Sequence, residues 1–534
     1  MLTHILNIFR KPKPKKNYIF YIAIIFITFI SRLPFITKYL FEWDSVQLAL
    51  GMKKFNILLH QPHPPGYFFY IYLSKLINII IANPNYSMII INIIFSIIAG
   101  IIFFKISQEI FKNKTLSLLS ALIFLFNPFV WFHGEFANIY TVDFSFALIF
   151  FYLTCLIIKK KKNLLPLYSF LFALGIGFRQ SLLIFFSPLY LYTFYFYIQH
   201  QKKPIIEIVK NVSILIIVSL AWLMPTAYLS GGLFQFFKIT IHQYSGAVTN
   251  TSIFSLSKIS SVFKQSINAL KIIIYSGNIL SFLIILNFIK KKFKFNKITK
   301  NILLLWFLPS FIFCALIHLG KIGYLMTIVP LIILLGILAI DKIKNTKKKY
   351  FIMLSVILIQ IIIFTFDIDS CLENRLLNKF LINVAPYKIN AQNLKNNDLK
   401  LNTIIDFIKK YNPENTILIC EGDSPYYQIR TNFIKNARHL NYYLPQYYIY
   451  YLFNDKTTAT KYYRYYGSKS ELLYQWYIPI GQEIKNVILI ADDFNYEIYD
   501  FKYTSHYIDE NVFYKNISNL NSFEYLGYQF VKQY

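Results

Sequence analysis

Over its first 366 residues this chain repeatedly runs through about 18 or more apolar residues with few charges, the length an α-helix needs to cross the hydrocarbon core of a bilayer. Such runs fall near 18–36, 86–110, 115–132, 137–158, 164–179, 181–199, 205–229, 268–289, 301–319, 323–340 and 349–367. Lipid offers the backbone no hydrogen-bond partner, so helices are the expected form of these spans. A hydrophobic fraction of 56% and a mean hydropathy of +0.45 exclude an ordinary soluble protein of 534 residues. The predicted fold class is a polytopic α-helical membrane protein with about eleven transmembrane helices and a C-terminal α/β domain outside the membrane.

Charge supports this partition. Residues 1–366 carry 37 Lys/Arg against 7 Asp/Glu, while residues 367–534 carry 18 of each, so the whole net charge of +30 belongs to the apolar part. With eleven spans, every basic cluster falls on one side: Arg10–Lys16, Lys112/Lys114, Lys159–Lys162, Lys202/Lys203, Lys290–Lys300 and Lys342–Lys349. That is the positive-inside pattern, not the footprint of a nucleic-acid binder, and nucleic acid is excluded as a partner. Residues 1–17 then read as a basic cytoplasmic N-terminus with no small-residue cleavage site, and 18–367 as the membrane module. The loops around 37–85, 133–136, 180, 230–267 and 320–322 and the domain 368–534 read as extracytoplasmic. If 67–82 also crossed, Lys112/Lys114 and Lys159–Lys162 would change sides, so this segment is predicted to lie in or re-enter the outer interface.

Within 368–534, TIIDFIKKY reads as a helix, and TILIC (416–420) and NVILIAD (486–492) read as buried parallel strands. The cysteines are Cys155 and Cys314 inside apolar spans, and Cys371 and Cys420, which could pair on an oxidising side. The abundant Ile, Lys, Asn, Tyr and Phe resemble the drift of an AT-rich genome, so single surface lysines carry little weight.

An acid at membrane depth is costly and is a functional candidate by default. Only seven acids precede residue 367. Glu109, Glu207 and Asp341 sit near lysines at cytoplasmic helix ends, where charge balance explains them. Glu42, Asp44, Glu135 and Asp143 fall on the outer side. Basic and polar groups reach the same side: Arg179-Gln180 interrupts a long apolar run, His242 lies in the 230–267 loop, and His318, Lys321 and Tyr324 flank the turn at 320–322. The planar fork of Arg179 suits a phosphate or a carboxylate. Together these groups suit a cavity for an anionic, membrane-borne ligand. His60 and His63 are separated by Pro62 and followed by Pro64-Pro65, which forbids a helical ligand pair, so no metal ligands are assigned. No cofactor is read from the sequence, and a divalent metal is left open. Pro64-Pro65-Gly66 is expected to fix the exit angle of its loop.

The stretch Glu42-Trp43-Asp44-Ser45 after the first span, followed by His63-Pro64-Pro65-Gly66-Tyr67, resembles the GT-C superfamily of membrane glycosyltransferases. This superfamily includes protein O-mannosyltransferases and the aminoarabinose transferases of lipid A. The HPPGY form is most similar to a bacterial, mannosyltransferase-like branch. Glu135 and Tyr140 in the next outer hairpin and Gly323–Pro330 extend the likeness, which covers roughly 15–340 and is most specific at 42–70. Many relatives carry two adjacent acids, whereas here Gln47 follows Asp44 with no second acid.

The resemblance implies a GT-C-like bacterial inner-membrane enzyme. It would move a sugar from a polyprenyl-phosphate donor to a hydroxyl of a glycan, lipid or protein acceptor on the outer face. Asp44 would take the acceptor proton. Glu42, His60, His63, Glu135, Tyr140, Arg179, Gln180, His242, Lys321 and Tyr324 would bind substrate, with Arg179 and Lys321 or His242 stabilising the leaving phosphate. The alternatives are a transporter or flippase of lipid-linked sugars, which predicts inverted repeats and charged groups at mid-bilayer, and a catalytically degenerate scaffold.

Overall fold

The structure is a computed structural model that describes residues 17–249, 252–253, 259–366, 389–423, 437–454, 463–466, 470–473, 477–491, 502–507, 510–525 and 528–533. Cys371 lies outside the described residues, and with it the pairing considered for Cys420. The chain divides into two compact units. Met1–Ile36 and Gly51–Asn393 form the membrane unit, and Thr37–Leu50 joins Leu394–Tyr534 in the second.

In chain order the helices are α1 (Tyr18–Arg32), α2 (Trp43–Lys53), α3 (Phe68–Ile81), α4 (Pro84–Phe111), α5 (Lys114–Leu125), α6 (Pro128–Phe132), α7 (Tyr140–Lys160), α8 (Leu165–Phe178) and α9 (Ser181–Ile198). They continue as α10 (Pro204–Leu229), α11 (Leu233–Thr249), α12 (Ile259–Gly277), α13 (Ile279–Ile289), α14 (Lys297–Ile312), α15 (Val329–Asp341) and α16 (Thr346–Thr365). Among the described residues seven helices are long and apolar enough to span a membrane, with an eighth if the bent pair α12–α13, which turns by 103°, is one span.

All eleven apolar stretches are helical, but the expected count of about eleven transmembrane helices is not confirmed, because several of them are broken or short. Asn127-Pro128 cuts 115–132 into α5 and the short α6, because Asn127 caps a new helix whose first residue is proline. Arg179 ends α8 in extended backbone. A 3-10 turn, Ile322–Thr327, takes the first part of 323–340. The predicted loop 230–267 contains α11 and the start of α12. Segment 67–82 forms α3, whose 14 residues reach only about 21 Å, short of a ~30 Å hydrocarbon core.

The most enclosed helices are α4 and α7, while α1, α10 and α16 turn most of their surface outward. Some hydroxyls on the inner helices bond within their own helix. Ser96 and Ser145 bond backward to carbonyls on their own turns. Of the acids assigned to charge balance, Glu109 meets Lys160 at 2.8 Å, Asp341 meets Lys349 at 2.9 Å and Glu207 meets Lys210 at 3.9 Å.

The second unit is built on a seven-stranded sheet of order β4-β3-β2-β1-β6-β8-β7. Its strands are β1 (Thr416–Asp423), β2 (Tyr448–Asn454), β3 (Tyr463–Tyr466), β4 (Ser470–Leu473), β6 (Asn486–Ala491), β7 (Lys502–Tyr507) and β8 (Glu510–Asn516). The expected strands TILIC and NVILIAD are direct parallel neighbours, with Ile417 opposite Val487 and Ile419 opposite Leu489. Both faces of β1 are covered, which is why its sequence is continuously apolar. Ile417 and Ile419 pack toward the three-stranded sheet of β5 (Tyr477–Gly481), β10 (Tyr528–Gln533) and β9 (Ser522–Tyr525). Leu418 and Cys420 pack under α17 (Ala391–Ile408) and α18 (Ala437–Tyr443). Leu401, Ile404, Ile405 and Ile408 recur at helical spacing and make α17 the lid of that core.

Candidate functional site

The proline-rich turn is built for one conformation. Asn56 caps the 3-10 turn Ile57–Leu59 through its side-chain oxygen, and His60 closes that turn in left-handed backbone. Gly66 has φ +109, and a Cβ there would lie 3.1 Å from the Phe55 ring and 3.3 Å from Ile57 and Thr226, so both the backbone and the space demand glycine. The turn delivers Tyr67 to the start of α3, where its hydroxyl pairs with His63 Nε2 at 2.8 Å.

A second wall comes from the hairpin between α6 and α7. Its backbone is tied down by side chains. Asn92 of α4 donates to the Phe136 carbonyl at 2.7 Å and accepts from the Thr141 hydroxyl at 2.8 Å. Tyr70 donates to the Asn138 carbonyl at 2.7 Å, and Asn138 donates to the carbonyls of His133 and Phe136. The hairpin thus presents Tyr140 and Asp143 from the first turn of α7 in fixed positions. Tyr140 packs face-on to Gly323, where any side chain would collide with the ring.

Arg179 is the hub. It sits at the end of α8, 5% exposed, and extended backbone turns its side chain out of the helix line. One guanidinium nitrogen lies 3.2 Å from Asp143, and Nε donates to Ser181 Oγ at 3.1 Å. The guanidinium lies over two phenol rings, 4.8 Å from the Tyr140 centroid and 5.3 Å from that of Tyr324. Tyr67 and Tyr244 also lie within its electrostatic reach. His318 stands edge-on to Tyr324 at 5.7 Å, and Lys321 caps the 3-10 turn that carries Tyr324. Beside Arg179, both polar atoms of the Gln180 amide are buried with no hydrogen-bond partner. A buried amide without partners costs about 1–3 kcal/mol, so its amide is a donor–acceptor pair ready for a ligand.

Of the residues singled out in the sequence, this cluster unites His63, Tyr140, Asp143, Arg179, Gln180 and Tyr324. Others are placed elsewhere. Glu135 lies 3.6 Å from Arg32 Nε in a fully enclosed pair, and burial holds its carboxyl well above the usual range against the pull of Arg32. His242 is exposed on α11, where its carbonyl accepts from Ser245. His60 remains the cap of its 3-10 turn.

Glu42 and Asp44 belong to the second unit, at the start of α2. The Glu42 amide donates to Ser45 Oγ at 3.2 Å, and Asp44 occupies the first helical turn, where the helix dipole favours a negative charge. Glu42 is buried and Asp44 half-buried. Among the described residues no group of three or more His, Cys, Asp or Glu side chains could hold a metal ion.

Three contributors were not singled out as ligands in the sequence: Tyr67, Tyr244 and His133. His133 donates through Nδ1 to the Phe129 carbonyl at 2.8 Å and stays neutral, because burial lowers it to about 4. Only its place in the hairpin, two residues before Glu135, hinted at it.

Residues 62–228 match the family described as dolichyl-phosphate-mannose-protein mannosyltransferase. The fold is similar to that of ArnT from Cupriavidus metallidurans crystallised with undecaprenyl phosphate, at a TM-score of 0.53 and 9% identity, covering 93% of this chain and 97% of that one. The apo form of the same protein aligns over the same shares at 9% identity with a TM-score of 0.51. No curated protein matches the sequence. The structural likeness shows a fold shared with ArnT over 93% of this chain.

Proposed function

We propose that this protein is an integral-membrane glycosyltransferase of GT-C type that moves a sugar from a polyprenyl-phosphate carrier to an acceptor hydroxyl. The observation that carries the reading is the Arg179 cluster: a buried guanidinium over the rings of Tyr140 and Tyr324, next in sequence to an unpartnered amide, with Tyr140, Arg179 and Gln180 in the region that matches the mannosyltransferase family. The bound undecaprenyl phosphate of the ArnT neighbour agrees with it.

A polyprenyl-phosphate sugar carries one negative charge on its diester. Transfer breaks the bond between the anomeric carbon and the phosphate oxygen, and the electron pair stays on the phosphate, which becomes a dianion. Arg179 stabilises that growing charge with donors not directed at Asp143 or Ser181, and Lys321 adds a second positive charge. Gln180, Tyr140, Tyr324 and the His63–Tyr67 pair orient the head group. Asp44 takes the proton of the attacking hydroxyl, a contribution of about 10²–10⁴ in rate for a well-placed base. Glu42 supports the turn that starts its helix. The enzyme works in a bacterial inner membrane, with the N-terminus cytoplasmic and residues 368–534 extracytoplasmic.

The test is transfer by membranes holding Asp44→Asn, supplied with polyprenyl-phosphate-linked hexose or pentose. The expected result is a loss of at least about 100-fold. Near-normal transfer would remove Asp44 from the mechanism.

A further inference from the structure

The segment that precedes Asp44 is held by side chains from the far end of the chain. Lys38 N–H donates to Asp398 Oδ2 at 2.7 Å and Tyr39 N–H to Oδ1 at 3.1 Å, so one carboxylate bridges two successive amides 360 residues away. Leu40 N–H donates to the Tyr443 hydroxyl at 2.8 Å, and the Leu40 carbonyl accepts from His439 Nε2 at 3.1 Å. Tyr39 donates its hydroxyl to Asn402 at 2.6 Å and meets the Tyr443 ring edge-on at 5.3 Å. Arg438 lies 5.3 Å over the Trp43 ring, and Leu40 and Phe41 are completely buried.

Residues 38–40 therefore have their backbone fixed as a strand's would be, but by side chains of α17 and α18 instead of a neighbouring strand. Asp398 keeps this place at a cost, since burial pushes its carboxyl up to about 6 against the pull of both amides and Lys38. His439 is fully enclosed and lowered to about 4, which keeps it neutral, with Nε2–H as donor and Nδ1 without a hydrogen-bond partner.

We infer that Asp398, His439 and Tyr443 are positioning residues: they clamp the backbone of Lys38–Leu40 and so fix where α2 begins and where Asp44 points. The C-terminal fold then acts as the mount of the acid that activates the acceptor. This rests on the role proposed for Asp44 and adds to it a function for the second unit. Only three residues lie between Leu40 and Asp44, so a clamp that slackens by about 1 Å would misplace the carboxylate, an error that costs up to about 100-fold in rate.

The experiment uses full-length protein in nanodiscs. Amide hydrogen exchange is measured on wild type, Asp398→Ala, Asp398→Glu and Tyr443→Phe, alongside kcat and KM for a polyprenyl-phosphate hexose donor. The expected result for Asp398→Ala is faster exchange confined to about residues 37–45 and kcat lower by about 10- to 100-fold. Donor KM is unchanged within twofold, and Asp398→Glu restores part of both. Tyr443→Phe removes one partner and has a smaller effect in the same direction.

Exchange that rises throughout β1, β2 and β6 as well would mean that Asp398 serves only the stability of the domain, and would overturn the inference. So would local loosening with unchanged kcat. If Asp44→Asn abolishes transfer while Asp398→Ala does not, the clamp fails and the proposed reaction stands. If Asp44→Asn leaves transfer intact, the reaction scheme fails, whatever the exchange shows.

Discussion

Arg32 and Arg179 are both arginines buried in the membrane unit against a single carboxylate and over aromatic rings, yet the chemistry of those surroundings differs. Arg32 and Glu135 are both fully enclosed. The Arg32 guanidinium donates to the Leu125 carbonyl at 2.7 Å and lies 5.2 Å over Trp131, which itself stacks on Phe364 at 4.2 Å. This pair pins α1 to the hairpin and is sealed from solvent. Arg179 faces phenols and a hydroxyl, and the next residue, Gln180, carries an unpartnered buried amide, all groups that a sugar or a phosphate can use. A buried ion pair alone does not mark a binding site; the polarity of what encloses it does.

The comparison can be broken by mutation. The largest expected effect belongs to removing one partner of the sealed pair. Glu135→Leu leaves Arg32 buried and unpaired, at about 3–5 kcal/mol of stability, read as a large fall in the unfolding temperature of purified protein. The double change Arg32→Met with Glu135→Leu recovers most of that loss, since an apolar replacement of a buried pair is often neutral, and it leaves turnover intact.

The same double exchange at the other pair, Arg179→Met with Asp143→Leu, separates fold from function. The protein stays folded, but turnover falls by about 10²–10³-fold, the usual cost of losing one charge-stabilising donor. The smallest effect is expected at Gln180→Leu. It removes an amide that has no partner in the free protein, so stability holds or rises slightly, while donor affinity falls by about 2- to 10-fold for one lost hydrogen bond. If donor affinity were unchanged, Gln180 would be no ligand.

The parts of this molecule legible in its sequence are those with local or periodic causes. β1 and β6 show because a strand covered on both faces must be apolar throughout. Arg179 shows because an arginine inside an apolar run needs a partner. The proline turn shows because Pro64-Pro65-Gly66 allows few conformations. Glu135 drew more weight than Asp143, because a hairpin tip suggests exposure; the structure instead folds that tip inward around Asn92 and Asn138.

Arg32 went unread because an arginine at the end of a span passes for a membrane anchor. The signal was present, since only Arg10, Arg32 and Arg179 among the 37 basic residues before 367 are arginines. The clamp on Lys38–Leu40 had no readable signal. It pairs backbone amides, which carry no sequence signature, with Asp398, His439 and Tyr443, a distant set with no spacing of its own. Breaks inside apolar runs, at Asn127-Pro128 and Gly277-Asn278, were hidden by composition that stays apolar across them.

The central claim is that the Arg179 pair, and not the Arg32 pair, receives the lipid phosphate. It is tested by binding of undecaprenyl phosphate to purified full-length protein in three forms: wild type, the Arg32→Met/Glu135→Leu double variant and the Arg179→Met/Asp143→Leu double variant. The account predicts near-equal affinity for the first two and a loss of about 100-fold for the third, in line with the cost of removing a buried charge-assisted contact. Equal binding by all three, or a loss confined to the Arg32 variant, would contradict it.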